Sequence, residues 1–377
     1  MTALPAQRLD SAGRVQVDLR AIAALALPLV ANSAVQIVLN LTDVWFIGRI
    51  STDALAAVGS VQWLVLVVVM ILSGVCMAVQ TVVAQAFGAG RRARASQAVW
   101  TALWGTLCVT PLFIGAGAGG HLMLAPFGLD SHVTDLAAQF WFPRVGGSPV
   151  GAAIWALLGF FNGIGRTRLT VLVTSVVTLA NVPLNQLFIF GLGWGVAGSA
   201  WATTVAQLLG LGLAVGLFLR KDFRVRYRSH ATWRPRAQQL RSQFLLGFPM
   251  GLLAAADLLG MSIFQLMQVR LSTVAGAATQ VVTILTSVAY MPGVGIALAG
   301  TTLVGQSIGA GDRKWARRVG NRVIALAALF MSGMGMLLAL AGPWLLPLFT
   351  GAHDSQSHAV IALGVKLLWL AAIYQFF

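Results

Sequence analysis

Residues 77–90 read MAVQTVVAQAFGAG, and residues 298–311 read LAGTTLVGQSIGAG. The two stretches agree at seven of fourteen positions when Met77 is aligned with Leu298. The identical positions include the pair Gln85 and Gln306 and the Gly-Ala-Gly that ends each stretch. The chain therefore contains one apolar segment twice, which indicates an internal repeat. We call the spacing that aligns Gln85 with Gln306 the repeat offset.

Two further matches occur at the repeat offset. ISTDALAA (50–57) agrees with LSTVAGAA (271–278) at five of eight positions, and Pro28 corresponds to Pro249. Agreement at three separate places on one offset is difficult to obtain by chance. Because proline interrupts the hydrogen bonding of a helix, Pro28 and Pro249 are candidate hinges, and a purely structural kink is the equal alternative.

The composition is that of a polytopic membrane protein. Of 377 residues, 58% are hydrophobic and 9% are charged, and the mean hydropathy is +0.83. All ten acidic residues are aspartate, and the net charge is +15. In a soluble protein this excess of positive charge would suggest nucleic-acid binding. In a membrane protein it is accounted for by the positive-inside rule, so we expect no nucleic-acid binding. Neither the two cysteines nor the five histidines show a ligand spacing, so we expect no metal or other cofactor and no enzyme.

Apolar stretches long enough to cross a membrane occur ten times, each near or above the roughly twenty residues that a span needs. The predicted spans are 22–47, 56–82, 97–119, 134–162, 169–190, 196–219, 242–268, 276–304, 319–349 and 359–377. The fold class is therefore predicted to be all-α.

The positions of the basic residues predict the orientation. With the first twenty residues taken as an uncleaved leader, 21 of the 25 Lys and Arg residues fall on one side of the membrane. The opposite loops contain Arg49 and Arg270. We therefore expect a multi-pass protein of a bacterial-type inner membrane with a cytoplasmic N-terminus.

The repeat offset corresponds to six helices, an even number, so both halves have the same orientation across the membrane. The sequence predicts an N-terminal lobe at 1–219, a basic cytoplasmic linker at 220–241 and a C-terminal lobe at 242–377. The first lobe has six helices and the second has four. Symmetry predicts six plus six, so we expect a shortened form of a twelve-helix protein.

Asp43 and Asp257 are the candidate functional acids because each lies in an apolar span. A charged side chain at the bilayer centre costs about 2.5–3.5 kcal/mol on insertion scales, and such residues usually handle an ion, a proton or a substrate. Asn40, Asn181 and Asn185 offer amide oxygens that suit Na⁺, bound at Asp43 and Asn181 or at Asp257. The alternatives are an interfacial position for Asp43, a structural carboxyl at Asp257 and helix–helix contacts for the asparagines.

Arg144 and Lys366 are basic residues within predicted spans. Both lie toward the outer ends of their helices, and they correspond to each other within one position of the repeat offset. Long basic side chains in such positions reach the headgroups, which is the default interpretation. A salt bridge to an intramembrane aspartate is the alternative.

Several stretches, in this order, resemble motifs of the MATE (multidrug and toxic compound extrusion) family. They are LPLVANSAVQIVLNLTDVWFIGRI (27–50), AQAFGAG (84–90), GFFNGIGRTR (159–168), NVPLNQLFIFGLGWGVAGSAWATTVAQ (181–207), GFPMGLLAAAD (247–257) and GQSIGAGDRKWARR (305–318). The resemblance covers essentially the whole chain. Asn181, Asn185 and Asp257 occupy positions similar to those of the NorM-like branch.

The resemblance implies two six-helix lobes around a central cleft and export of small organic, often cationic, compounds in exchange for Na⁺ or H⁺. It also implies that Asp43 is a coupling residue. We expect a monomer that contacts membrane lipid and small organic substrates. A flippase for lipid-linked precursors, built on a related fold, is the main alternative, and a membrane-embedded enzyme or a channel is a weaker one.

Overall fold

The computed structural model describes residues 4–9, 15–125, 131–271, 273–348 and 357–375, and within these ranges the chain is almost entirely helical. The elements are β1 (Gln7–Leu9), β2 (Val15–Val17), α1 (Leu19–Gly48), α2 (Thr52–Met77), α3 (Val79–Gly88), α4 (Arg92–Ala118), α5 (Gly120–Leu124), α6 (Ser131–Gly146), α7 (Ser148–Gly163), α8 (Thr167–Asn185), a π-turn (Gln186–Gly191), α9 (Gly195–Phe218), α10 (Lys221–Tyr227), α11 (Ala237–Leu271), α12 (Thr273–Gly309), α13 (Arg313–Leu345), a 3₁₀ turn (Leu346–Leu348) and α14 (Ser357–Tyr374).

The all-helical membrane fold predicted from the sequence is confirmed. Among the described residues, eight helices are long and apolar enough to cross a membrane, or nine if the bent pair α6 and α7 forms one span. This bent pair occupies the fourth predicted span. The tenth corresponds to a shorter apolar helix, Ala359–Tyr374. Arg14 and the ends of the ninth and tenth predicted spans lie outside the described residues.

The bend between α6 and α7 has a local cause. The two axes meet at 40° beside Gly147, and Pro149 occupies the first turn of α7. Proline has no amide hydrogen to continue the bonding of the preceding helix. A Cβ at Gly147 would collide with the Thr204 side chain, so the bend also brings α7 close to α9.

Capping residues begin several helices. Asp18 accepts a hydrogen bond from the Arg20 amide at 2.9 Å at the start of α1, and Ser51 accepts one from the Ala54 amide at 3.0 Å at the start of α2. At the start of α13, Asp312 accepts one from the Trp315 amide at 2.8 Å. These bonds satisfy amides that have no partner within the helix.

The predicted leader includes a small hairpin. β1 and β2 pair antiparallel, with Arg8 opposite Gln16. The Trp315 indole of α13 donates a hydrogen bond of 2.9 Å to the Pro5 carbonyl, and this holds the hairpin against the start of α13.

The arginine-rich connections meet at one end of the molecule, which we call the basic end. The connections after α3 and α12 lie together, since a Cβ at Gly309 would meet the Gln85 carbonyl. The segment after α9 packs on the start of α4, where the Trp100 indole donates to the Ser229 carbonyl at 2.7 Å. The arrangement matches the charge segregation read from the sequence.

Residues 1–219 and 242–377 approach each other closely near the basic end. A Cβ at Gly88 would collide with the backbone of Gln306, and a Cβ at Gly309 would collide with the backbone of Gln85. Gly88 corresponds to Gly309, and Gln85 to Gln306, at the repeat offset, so the contact is reciprocal. Only glycine allows backbones to come this close.

Buried polar side chains add hydrogen bonds to the same region. The Gln80 amide donates to the Leu298 carbonyl at 2.8 Å and to the Thr302 hydroxyl at 3.1 Å. The Gln306 amide donates to the Gly163 carbonyl at 2.9 Å. Hydrogen bonds at membrane depth are worth about 0.6–2 kcal/mol each, so together they hold the two halves in contact at the basic end.

Candidate ion-binding site

Asp43 lies near the end of α1 that is distant from the basic end, and its side chain is half-buried between α1, α8 and α9. The Asn185 amide donates to one carboxylate oxygen at 2.9 Å, and the Thr203 hydroxyl lies 3.3 Å from the other. The predicted acid of the first span therefore contacts polar side chains from two other helices.

The asparagines of α8 and Thr203 form one connected cluster with Asp43. The Asn185 amide also donates to the Asn181 oxygen at 2.7 Å, and the Asn181 amide donates to the Thr203 hydroxyl at 3.3 Å. Asn181 and Asn185 are fully buried. We call Asp43, Asn181, Asn185 and Thr203 the Asp43 cluster.

The sequence of α8 explains how both asparagines face α1. They are four residues apart, so they lie one turn above the other on a single face of the helix. Pro183 lies between them, and the helix changes to a π-turn directly after Asn185. Such π-turns occur often at functional sites because they redirect side chains locally.

One oxygen of the cluster has no partner among the described residues. The Asn185 side-chain oxygen is buried and accepts no hydrogen bond. A buried acceptor left in this state normally costs about 1–3 kcal/mol. Together with the carboxylate of Asp43, the Asn181 oxygen and the Thr203 hydroxyl, it supplies the hard oxygen ligands that an alkali cation prefers. A proton on Asp43 is the other charge that the cluster can accommodate.

Arg144 of α6 interacts electrostatically with Asp43 without forming a direct ion pair. The salt bridge to an intramembrane aspartate is therefore not found for Arg144 among the described residues, and the headgroup position stays a prediction. Its guanidinium places a second positive charge near any cation that binds the carboxylate. Lys366 of α14 is exposed, as expected for a side chain that reaches the headgroups.

The other predicted site residues lie apart from the Asp43 cluster. Asn40 is exposed and has no hydrogen bond to Asp43 in the described part of the chain. Asp257 is exposed on α11. Pro28 and Pro249 lie inside continuous helices, α1 and α11 respectively, and the hinge role stays a prediction.

Sequence reasoning missed Thr203. In an apolar span, a threonine hydroxyl usually bonds to a carbonyl of its own helix, and Thr203 does lie 3.1 Å from the Ser199 carbonyl. Its proximity to Asp43 depends on the packing of α9 against α1. The signal that could have identified it was its position in the same matched motif (181–207) as Asn181 and Asn185, on the span that follows theirs.

Replacing Thr203 by valine tests whether the hydroxyl belongs to the site. Thr203→Val keeps the shape of the side chain, removes a contact to Asp43 and leaves the Asn181 amide without its acceptor. A lost buried hydrogen bond is worth about 1–2 kcal/mol, so we expect the coupling-ion concentration for half-maximal transport to rise about 5- to 30-fold.

Thr301→Val is the matched control. The Thr301 hydroxyl donates to the Ala297 carbonyl of its own helix, α12, and lies outside the Asp43 cluster. The control should leave the half-maximal ion concentration unchanged. An unchanged value in Thr203→Val as well would exclude the Thr203 hydroxyl from the site.

Comparison with known proteins gives a consistent result. The MatE family model matches residues 28–187 and 245–377. The probable multidrug resistance protein NorM of Chromobacterium violaceum is 30% identical over 386 aligned positions, which cover 97% of this chain and 80% of that protein. The protein of the same description from Burkholderia mallei is 31% identical, covering 94% of this chain and 76% of its own length.

Solved structures share the fold. A crystal structure of MATE in the straight conformation superposes with a TM-score of 0.83 at 20% identity, covering 94% of this chain and 79% of that one. An outward-facing multidrug resistance MATE family transporter superposes with a TM-score of 0.76 at 20% identity, covering 94% and 78% of the two chains. At these identities the superpositions establish the fold.

Proposed function

Because this chain belongs to the MatE family, we propose that it is a secondary-active antiporter that exports small organic, often cationic, compounds in exchange for Na⁺ or H⁺. The observation that carries the proposal is the Asp43 cluster: a lone carboxylate at membrane depth, surrounded by amide and hydroxyl groups and by one buried oxygen that has no partner among the described residues. The relatives described as multidrug resistance proteins support the substrate class.

The chemistry of exchange follows from the carboxylate. An ionised Asp43 attracts Na⁺ or a proton, and either one neutralises it. The inward-open and outward-open states of the transporter then bind the ion with different affinities, and they also bind the organic compound with different affinities. These differences couple the movement of the ion to that of the compound. Asp257, exposed on α11, is proposed as a second acid for ion or substrate binding.

Alternating access requires an interface that opens and closes. We propose that 1–219 and 242–377 are the two lobes, connected by the linker at 220–241, and that they separate at the basic end during transport. The reciprocal approach of Gly88 to Gln306 and of Gly309 to Gln85 supports this. Backbones packed this closely fit together in a single arrangement, so the contact is either closed or broken. The hydrogen bonds of Gln80 and Gln306 close the same end.

The basic end is proposed to face the cytoplasm of a bacterial-type cell, which gives the chain a cytoplasmic N-terminus. The positive-inside rule supports this orientation, because the arginine-rich connections collect at that end. We also propose that the chain acts as a monomer.

A flippase for lipid-linked precursors would handle an anionic pyrophosphate and would need a strongly cationic central site. The Asp43 cluster has one carboxylate and one nearby guanidinium, that of Arg144. This charge balance suits exchange of cations better than capture of a pyrophosphate, so the antiporter is the better-supported function.

Ethidium transport in proteoliposomes tests the proposal. The purified full chain is reconstituted, and an ethidium gradient is measured by fluorescence under a Na⁺ gradient at constant pH, and separately under a pH gradient at constant Na⁺. We expect at least one gradient to drive ethidium against its concentration difference, and an ionophore that dissipates that gradient to stop it. Ethidium movement that is identical with and without both gradients would contradict antiport.

A further inference from the structure

A cavity of about 1020 Å³ lies at the basic end, between the start of α8 and the segment that follows α9. Its charged lining comes from two separate connections of the chain. The basic lining residues are Arg166, Arg168, Arg220, Lys221 and Arg226. The single acidic residue of the lining is Asp222. The Asp43 cluster lies near the other end of α8, so the two sites are distinct.

The five basic side chains are exposed, and none forms an ion pair within the described residues. Like charges that line one cavity repel one another, and the repulsion is relieved when an anion binds between them. A solvated basic loop would spread its charges outward. Here two connections that are well separated in sequence direct theirs to one cavity.

Thr167 gives the cavity a feature that points to a ligand. Its side chain is only 2% exposed, it lines the cavity, and its hydroxyl has no hydrogen-bond partner among the described residues. It is the first residue of α8, a helix of 19 residues whose first amides receive no side-chain cap. Unpaired amides and the dipole at a helix N-terminus favour an anion.

Tyr227 provides a further donor at the cavity. Its ring is buried against Phe160 and Phe223, which fixes its position. Burial raises the pKa of its hydroxyl, although Arg92, Arg226 and Arg166 lower it. The hydroxyl therefore stays protonated and can donate to an anionic oxygen.

Apolar surface continues from the cavity along the spans. Ala24, Leu169 and Leu217 belong to the lining. One turn deeper, Leu27 of α1 and Leu172 of α8 are 66% and 46% exposed. A free phosphate needs only the charged part, whereas a lipid needs the charged part and an adjoining apolar surface for its chains.

We propose that this cavity binds a phosphate group through its basic side chains and Thr167, and that an anionic phospholipid provides that phosphate as its headgroup. The proposal concerns a site separate from ion exchange at Asp43. Basic recesses between spans on the cytoplasmic side are suited to such headgroups, and each basic residue near the membrane surface contributes about fivefold to binding.

Titration of the detergent-purified full chain with three probes tests the site. The probes are dioctanoyl phosphatidylglycerol, dioctanoyl phosphatidylcholine and inorganic phosphate. We expect phosphatidylglycerol to bind at least tenfold more tightly than either other probe. Arg166→Gln together with Arg220→Gln should weaken its binding roughly 30-fold. Thr167→Val should weaken it about fivefold, the value of one hydrogen bond.

Arg234→Gln together with Arg236→Gln is the matched control. Both residues are exposed in the basic linker that also contains Arg220, and neither lines the cavity. Their replacement removes the same total charge as the replacement of Arg166 and Arg220. If the control pair weakens binding as much as the cavity pair, general electrostatic attraction explains the binding and the proposed site is overturned. If phosphatidylcholine binds as tightly as phosphatidylglycerol, anion recognition is overturned, and equal binding of inorganic phosphate would overturn the lipid as its source.

Discussion

Asp43→Asn is expected to reduce gradient-driven ethidium transport to below about 3% of the wild-type rate. Asparagine keeps the size of the side chain and an acceptor oxygen for the Asn185 amide, but it carries no charge. A unit charge pair 4 Å apart contributes about 4 kcal/mol at an effective dielectric constant of 20. Half of that value already weakens binding of the coupling ion about 30-fold.

Arg144 increases the expected loss. In the variant its guanidinium stays near the cluster without the carboxylate that offsets it, so the local charge becomes positive and repels a cation. Removing the carboxylate also leaves a half-buried guanidinium without its nearby opposite charge, which lowers the stability of the protein. The melting temperature of the purified variant must therefore be measured together with transport.

Two further variants separate a transport defect from a folding defect. Asp43→Asn combined with Arg144→Gln removes both charges, and we expect it to recover stability while transport stays absent. Asp135→Asn is the matched control, because Asp135 is an exposed acid of α6 outside the Asp43 cluster. Wild-type transport in Asp43→Asn, with an intact melting temperature, would remove Asp43 from the mechanism.

The sequence predicts the spans well because a helix that crosses a membrane needs a long apolar stretch, and few other structures do. It also nominates Asp43, Asn181 and Asn185 as candidates, since polar residues are conspicuous in such stretches, and the structure places these three side chains in contact. Their partners are harder to predict: the bond from Asn185 to Asp43 joins residues 142 positions apart. Asn40 is near Asp43 in sequence, yet the cluster is completed by α8 and α9.

The internal repeat predicts some contacts and not others. At the repeat offset Asp43 corresponds to Phe264, and Asp257 corresponds to Gln36, so neither acid has an acidic counterpart in the other half. The glycines do have counterparts. Repetition therefore indicates which positions serve the shared scaffold, and departure from it indicates where one half has acquired its own chemistry.

Gly88→Ala combined with Gly309→Ala is expected to open the contact between α3 and α12 at the basic end. Each new methyl group would meet a backbone, that of Gln306 or of Gln85, and a backbone cannot rotate aside as a side chain does. Overpacking costs about 1–3 kcal/mol at each site, so the closed arrangement should lose about 30-fold or more in relative population. Ethidium transport should fall accordingly.

Thiol labelling reports the opening directly. Thr302→Cys places a thiol at a fully buried position of this contact, in a chain where Cys76→Ala and Cys108→Ser have removed the native thiols. We expect maleimide to label residue 302 at least tenfold faster when both glycines are alanine. When both glycines are present, the bond from the Gln80 amide to the Leu298 carbonyl still holds the region closed in this reporter.

The control uses two helical glycines that face open space. Gly115 of α4 and Gly333 of α13 have no neighbouring atom within 4 Å of an added Cβ. Alanine stabilises a helix interior by about 1 kcal/mol relative to glycine, so Gly115→Ala with Gly333→Ala should leave labelling and transport unchanged or raise stability. Gly88 and Gly309 are the last residues of α3 and α12, so alanine gains less helical stability there, and the collision with the opposite backbone dominates the effect of the interface pair. Slow labelling and normal transport in the interface variant would mean that the halves do not need this close approach.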